Sequence, residues 1–135
     1  MILDSRLEFS DSQELTATAA STNYIDLLKA GDAVVELYVV AQVDLASDSA
    51  NDGETVTAKL QCDDNASFSS PKDLTPAVAV AQVAAGTTVI KQRIPRDCER
   101  YVRMYYTIGG STLTVNPKVS AFLTAAPQAN KMIDG

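Results

Sequence analysis

The chain has 135 residues, 46% of them hydrophobic, which suits one domain able to bury a core of its own. Its formal net charge of -6 argues against sequence-independent nucleic-acid binding, which draws its affinity from neutralised phosphates. No apolar run approaches the ~20 residues a membrane helix needs. The start, with Asp4 directly after Met1, Ile2 and Leu3, lacks the basic region and long apolar stretch of a signal peptide, so no membrane partner and synthesis in the cytoplasm are expected.

Leu7 and Phe9 alternate with Glu8 and Ser10, and residues 1–12 read as an N-terminal arm or an edge strand. The apolar side chains Ile2, Leu3, Leu7 and Phe9 need cover, at the edge of the chain's own sheet or on a partner. Residues 14–28 hold two short strands, in which Leu15, Ala17 and Ala19 alternate with Thr16 and Thr18, and Tyr24, Asp26 and Leu28 alternate with Ile25 and Leu27. Residues 34–44 are the longest β-prone run, with Val39, Val40 and Val43, and predict a central strand covered on both faces. A polar loop over 45–53 follows.

Val56, Ala58, Leu60 and Cys62 alternate with Thr55, Thr57, Lys59 and Gln61, an amphipathic strand ending at the turn formers Asp63, Asp64 and Asn65. That acidic group lacks the ordered spacing, mid-loop Gly and terminal Glu of an EF-hand, so no metal site is expected. Residues 77–84 alternate Val and Ala and read as a strand. In the next, over 88–95, Ile90, Gln92 and Ile94 oppose Val89, Lys91 and Arg93.

The clearest two-residue period lies at 101–108, where Val102, Met104, Tyr106 and Ile108 take one face and Tyr101, Arg103, Tyr105 and Thr107 the other. Gly109 and Gly110 predict a tight turn, with residues 111–115 returning as the second strand of a hairpin. A last strand over 118–124 opposes Val119, Ala121 and Leu123 to Ser120, Phe122 and Thr124, and residues 127–135, without periodicity, read as a loose tail. About eight or nine short strands with regularly spaced turns give an all-β fold class, a single-domain antiparallel jelly roll or β-sandwich over 13–126.

The chemistry that is missing narrows the function. The chain has no His and no Trp, which removes the commonest general base, the Ser-His and Cys-His nucleophile pairs and the commonest zinc ligand. Cys62 and Cys98 cannot complete a zinc site and read as small buried apolar side chains. Sugar-cleaving carboxylate pairs work beside aromatic platforms, and aromatics are 6% here, so neither catalysis nor a cofactor is expected. Residues 1–64 carry 13 acidic and 3 basic side chains and residues 65–135 carry 4 and 8, a division that suits self-association or docking on a charged surface. Arg100, Tyr101, Arg103 and Tyr105 combine the residue types enriched where proteins meet proteins. The same types can stack on bases, but the core face behind them and the acidic balance favour a protein contact over nucleic acid.

Four segments in series, MILDSRLEFSDSQELTATAAST, LQCDDNASFSSPKDL, VIKQRIPRDCERYVRMYYTIGG and KVSAFLTAAPQA, resemble the capsid cement (decoration) proteins of short-tailed bacteriophages, of the kind found on Bordetella phage heads. The resemblance runs from Met1 to about Ala129 and is least over 45–54 and after Ala129. It implies a jelly-roll protein on the outer surface of an icosahedral virion head, self-associating as a dimer or trimer and clamping neighbouring copies of the major capsid protein. It brings no catalytic set. Ile2, Leu3, Leu7, Phe9, Arg100, Tyr101, Arg103 and Tyr105 are the interface residues expected from exposure and type. The other reading, from a different class, is a carbohydrate-binding β-sandwich module of a phage tail or adhesion structure.

Overall fold

The computed structural model describes residues 5–28, 37–47, 55–81, 83–110 and 114–125. A turn of 3-10 helix, Ser5–Leu7, leads into β1 (Glu8–Glu14). There follow β2 (Ala19–Ala20), β3 (Ile25–Asp26), β4 (Tyr38–Leu45), β5 (Thr55–Asp63), β6 (Lys72–Asp73), β7 (Val78–Ala79), β8 (Thr88–Arg93), β9 (Tyr101–Gly109) and β10 (Lys118–Thr124).

All pairings are antiparallel, in two sheets. The first has the order β1-β10-β4-β8. In the second, β9 and β5 pair centrally, β2 and β3 share the free side of β9, and β6 and β7 share the free side of β5. Taking each broken pair as one strand gives two four-stranded sheets between which the chain crosses repeatedly, in the strand order of a jelly roll. The all-β sandwich expected from the sequence is the fold observed.

The core fills the space between the sheets and follows the alternation along each strand. Val39, Ala41, Val43, Ile90, Val119, Ala121 and Leu123 come from the first sheet, and Val56, Ala58, Leu60, Cys62, Val102, Met104 and Tyr106 from the second. Each is buried because the pleat sends every second side chain inward. Cys62 and Cys98 are both free and buried.

A bulge in β1 places two consecutive side chains inside. Glu8 lies opposite Phe122 and Ser10 opposite Ala121, so two residues of β1 advance for one of β10. Phe9 is fully buried in the core, while the buried Ser10 hydroxyl meets the Tyr106 hydroxyl at 2.8 Å. This hydrogen bond joins the two sheets. Ser10 Oγ also donates to Gln13 Oε1 at 2.6 Å, and Gln13 Nε2 donates to the Ala20 carbonyl at 3.1 Å. Burial pushes the Tyr106 hydroxyl up to about 12, against the lowering effect of its Ser10 partner.

Three expectations change. Among the described residues β9 has no hairpin partner after its turn: Gly110 has the positive φ of 88° that a turn wants, but Thr114 and Val115 are not strand residues. The next strand, β10, belongs to the opposite sheet, because both edges of β9 are already taken, by β5 on one side and by β2 and β3 on the other. Residues 111–113 lie outside the described residues. The strand read over 77–84 shrinks to Val78–Ala79, pinned to β5 by its own ladder and by Val80 N–H donating to the Val56 carbonyl at 2.8 Å. The segment read as an arm or an edge strand holds the edge strand β1 from Glu8, which runs on to Glu14, two residues past the boundary at 12.

The buried Tyr106 hydroxyl gives a pH prediction. The folded Tyr106 pKa is raised, so its contribution is complete below the unfolded value of about 10 and is lost as pH climbs through about 12. Tyr106→Phe should cost about 1 kcal/mol at neutral pH and flatten the loss of stability between pH 10 and 12, as read by urea unfolding across that range.

Candidate functional site

β9 lies in the middle of its sheet, and its outward side chains form a continuous array with those of β5. The register sets Gln61 opposite Arg103, Lys59 opposite Tyr105 and Asp63 opposite Tyr101. Directly opposed side chains on one face are within reach of each other, so the ladder itself fixes which groups meet.

Arg103 is the centre. Its Nε and Nη2 both donate to Gln61 Oε1, at 3.1 and 3.0 Å. Gln61 is held in turn by donating Nε2 to Asp73 Oδ1 at 2.9 Å, and Asp73 pairs with Lys59 at 2.8 Å. The guanidinium carbon lies 4.3 Å from the centroid of the Phe68 ring and 5.1 Å from that of Tyr105, within cation–π range of both. Desolvation by these rings lowers the Arg103 pKa.

The array continues on both sides. Lys59 Nζ stands 6.0 Å from the Tyr105 centroid. Tyr24 meets Phe68 edge-on at 6.0 Å and Tyr101 edge-on at 5.8 Å, and Arg100 lies 5.0 Å over the Tyr101 ring. Arg100 forms a two-pronged pair with Asp26 on β3, at 2.7 and 2.8 Å. That hydrogen bond holds Asp26 below the usual carboxylate range and raises Arg100. Tyr24 is 51% exposed and caps the assembly.

Phe68 reaches this position because residues 64–70 fold back over the end of β5. Asp63, 1% exposed, anchors the turn: its Oδ1 accepts from Asn65 N–H at 3.1 Å and its Oδ2 from Ser70 N–H at 2.7 Å. Burial alone would raise the Asp63 pKa, but these amides and Asp64 outweigh it and hold it low, while the same contact to Asp63 raises Asp64. Phe68 takes a left-handed φ of 50°, an uncommon backbone state for a bulky residue, which the surrounding hydrogen bonds impose.

Of the expected interface residues, the fold gathers Arg100, Tyr101, Arg103 and Tyr105 on one outer face, all half-buried by one another. Phe9 instead faces the core with no exposed surface, because the β1 bulge turns it inward, and Leu7 is half-buried against that core. Ile2 and Leu3 lie outside the described residues. Tyr24, Gln61 and Phe68 belong to the site and were missed. For Tyr24 the signal existed, since its alternation with Ile25 puts it on the outer face. Phe68 is a lone aromatic in a polar turn, with no period to place it.

The model of the Bbp16 family matches residues 9–123, which takes in every element of the array. No curated protein matches the chain.

Removing the anchor should loosen the array without touching it. Asp63→Ala is expected to lower the thermal midpoint by several degrees and to speed hydrogen exchange at the Asn65 and Ser70 amides. Because the folded Asp63 pKa is lowered, its contribution is complete above the unfolded value of about 3.9 and disappears as pH falls through the folded one. The gap between variant and parent should therefore close in acid.

Proposed function

We propose, because this chain belongs to the Bbp16 family, a Bordetella phage protein family, that it is a capsid cement protein whose outer β9 face grips neighbouring major capsid protein subunits on the outside of a phage head. The observation that carries the reading is the array itself. Tyr24, Tyr101, Tyr105 and Arg103 form a rigid aromatic and cationic surface mounted on the central strands of a sheet. Tyr and Arg are the residues that most often dominate the energy of protein contacts, and here they are pre-ordered, so little side-chain freedom is lost on docking.

The role is structural and not catalytic. A protein that binds the assembled shell better than its separated subunits stabilises the shell by mass action, and each bound copy opposes the outward push of packaged DNA. Lattice repetition makes weak individual contacts sufficient. Self-association on a symmetry axis would let one assembly bridge several capsid subunits.

The carbohydrate-binding reading is less well supported by the same geometry. A sugar stacks on an open aromatic face, whereas the Arg103 guanidinium covers Phe68 and sits over Tyr105, and Tyr24 meets its neighbours edge-on.

Purified protein should co-sediment with heads prepared without it. Arg103→Glu should reduce the bound fraction by about tenfold or more, the loss expected for a central arginine anchor, while circular dichroism and the thermal midpoint show a folded β protein. Failure of the parent protein to sediment with heads, or equal occupancy by the variant, would contradict the reading.

A further inference from the structure

The geometry points to Arg103 as a preformed carboxylate receptor, so that the segment docking on the β9 face is an acidic stretch of a partner protein. This rests on the protein-docking function proposed above and specifies the chemistry of the partner.

Three cations stand on the face, and two are already matched. Lys59 is paired with Asp73 and Arg100 with Asp26. Arg103 is different: among the described residues it has no carboxylate in ion-pair contact, and its hydrogen bonds go to a single neutral acceptor, Gln61 Oε1. Asp63, a carboxylate of its own chain, is committed to the amides of Asn65 and Ser70 and acts on Arg103 only through space.

A half-buried guanidinium flanked by two rings has given up part of its hydration, and the Asp63 carboxylate offsets this only through space, without a contact. It has five N–H donors, and Gln61 takes one from Nε and one from Nη2. Among the described residues none accepts from the others, including both on Nη1, which leaves them for an incoming acceptor. A carboxylate meets such a group with charge-assisted hydrogen bonds, which are shorter and about twice as strong as neutral ones. The site is also pre-oriented: Lys59 fixes Asp73, Asp73 fixes Gln61, and Gln61 fixes the plane of Arg103. Phe68 and Tyr105 flank the guanidinium, so an arriving side chain must meet it where the rings do not. Arg103, and not the overall acidic balance of the chain, thus decides the partner.

Two measurements separate this inference from the function it rests on. The first follows the Arg103 Nε–Hε resonance by NMR while the intact protein is titrated with an alternating Glu-Gly hexapeptide, with inorganic phosphate and with oligothymidylate, at constant ionic strength. The hexapeptide should shift the resonance saturably, and oligothymidylate should shift it less. In Arg103→Lys, which keeps the charge and loses the planar fork, the shifts that the peptide induces at the Gln61 side-chain amide should vanish. No response to the peptide, or a stronger response to oligothymidylate or phosphate, overturns the receptor. The second is head binding by Arg103→Gln and Arg103→Lys, each expected to fall about tenfold or more. Full head binding by both variants overturns the receptor and leaves the cement function standing. A saturable peptide shift in a protein that never binds heads supports the receptor and removes the function.

Discussion

The two-residue period of β9 is the constraint on which the other features depend. Val102, Met104 and Tyr106 are fully buried, and the pleat then obliges Tyr101, Arg103 and Tyr105 to point outward. A slip of one residue would drive a guanidinium into the core and expose Met104, so register is strongly specified. β9 is paired with β5 from Tyr101 to Gly109 and flanked by β2 and β3 on its other side. Its inner face is tied across the sandwich by Tyr106 and Ser10. The outer array thus inherits the rigidity of the core, which is why a surface made of long side chains can hold a fixed spacing.

Charge is arranged on two scales. The division between an acidic first half and a more basic second half does not separate the two sheets, because both halves contribute strands to each. It appears instead at the two edges of the first sheet. β1 brings Glu8, Asp11 and Glu14 to one edge, and β8 brings Lys91 and Arg93 to the other. Charged edges of this kind discourage uncontrolled strand pairing. On the second sheet the pattern is finer: matched pairs at both ends of the array leave the guanidinium at its centre without an ion pair among the described residues.

Much of this was legible in the sequence, for a physical reason. β9 buries every second residue as far as Tyr106, and β5, β8 and β10 do so over part of their length, and alternation marks such stretches directly. β4 is covered on both faces over part of its length and shows as a continuous apolar run. The hairpin after β9 was misread because two glycines mark a turn without saying which sheet receives the chain. Phe9 lies in the core because the segment found its cover on the chain's own sheet and not on a partner, a choice that the alternation of Leu7 and Phe9 leaves open. Phe68 was invisible because its position comes from the carboxylate of Asp63 gathering a turn, an effect carried by hydrogen bonds and not by hydrophobic period.

The central claim is that the β9 face is the surface this protein uses to hold a head together. Hydroxyl-radical footprinting of the tyrosines, with the protein free and bound to heads, tests it most directly. The account predicts strong protection of Tyr24, Tyr101 and Tyr105 on binding, with the fully buried Tyr106 unreactive in both states. Unchanged labelling of Tyr24, Tyr101 and Tyr105 on particles that demonstrably carry the protein would contradict it.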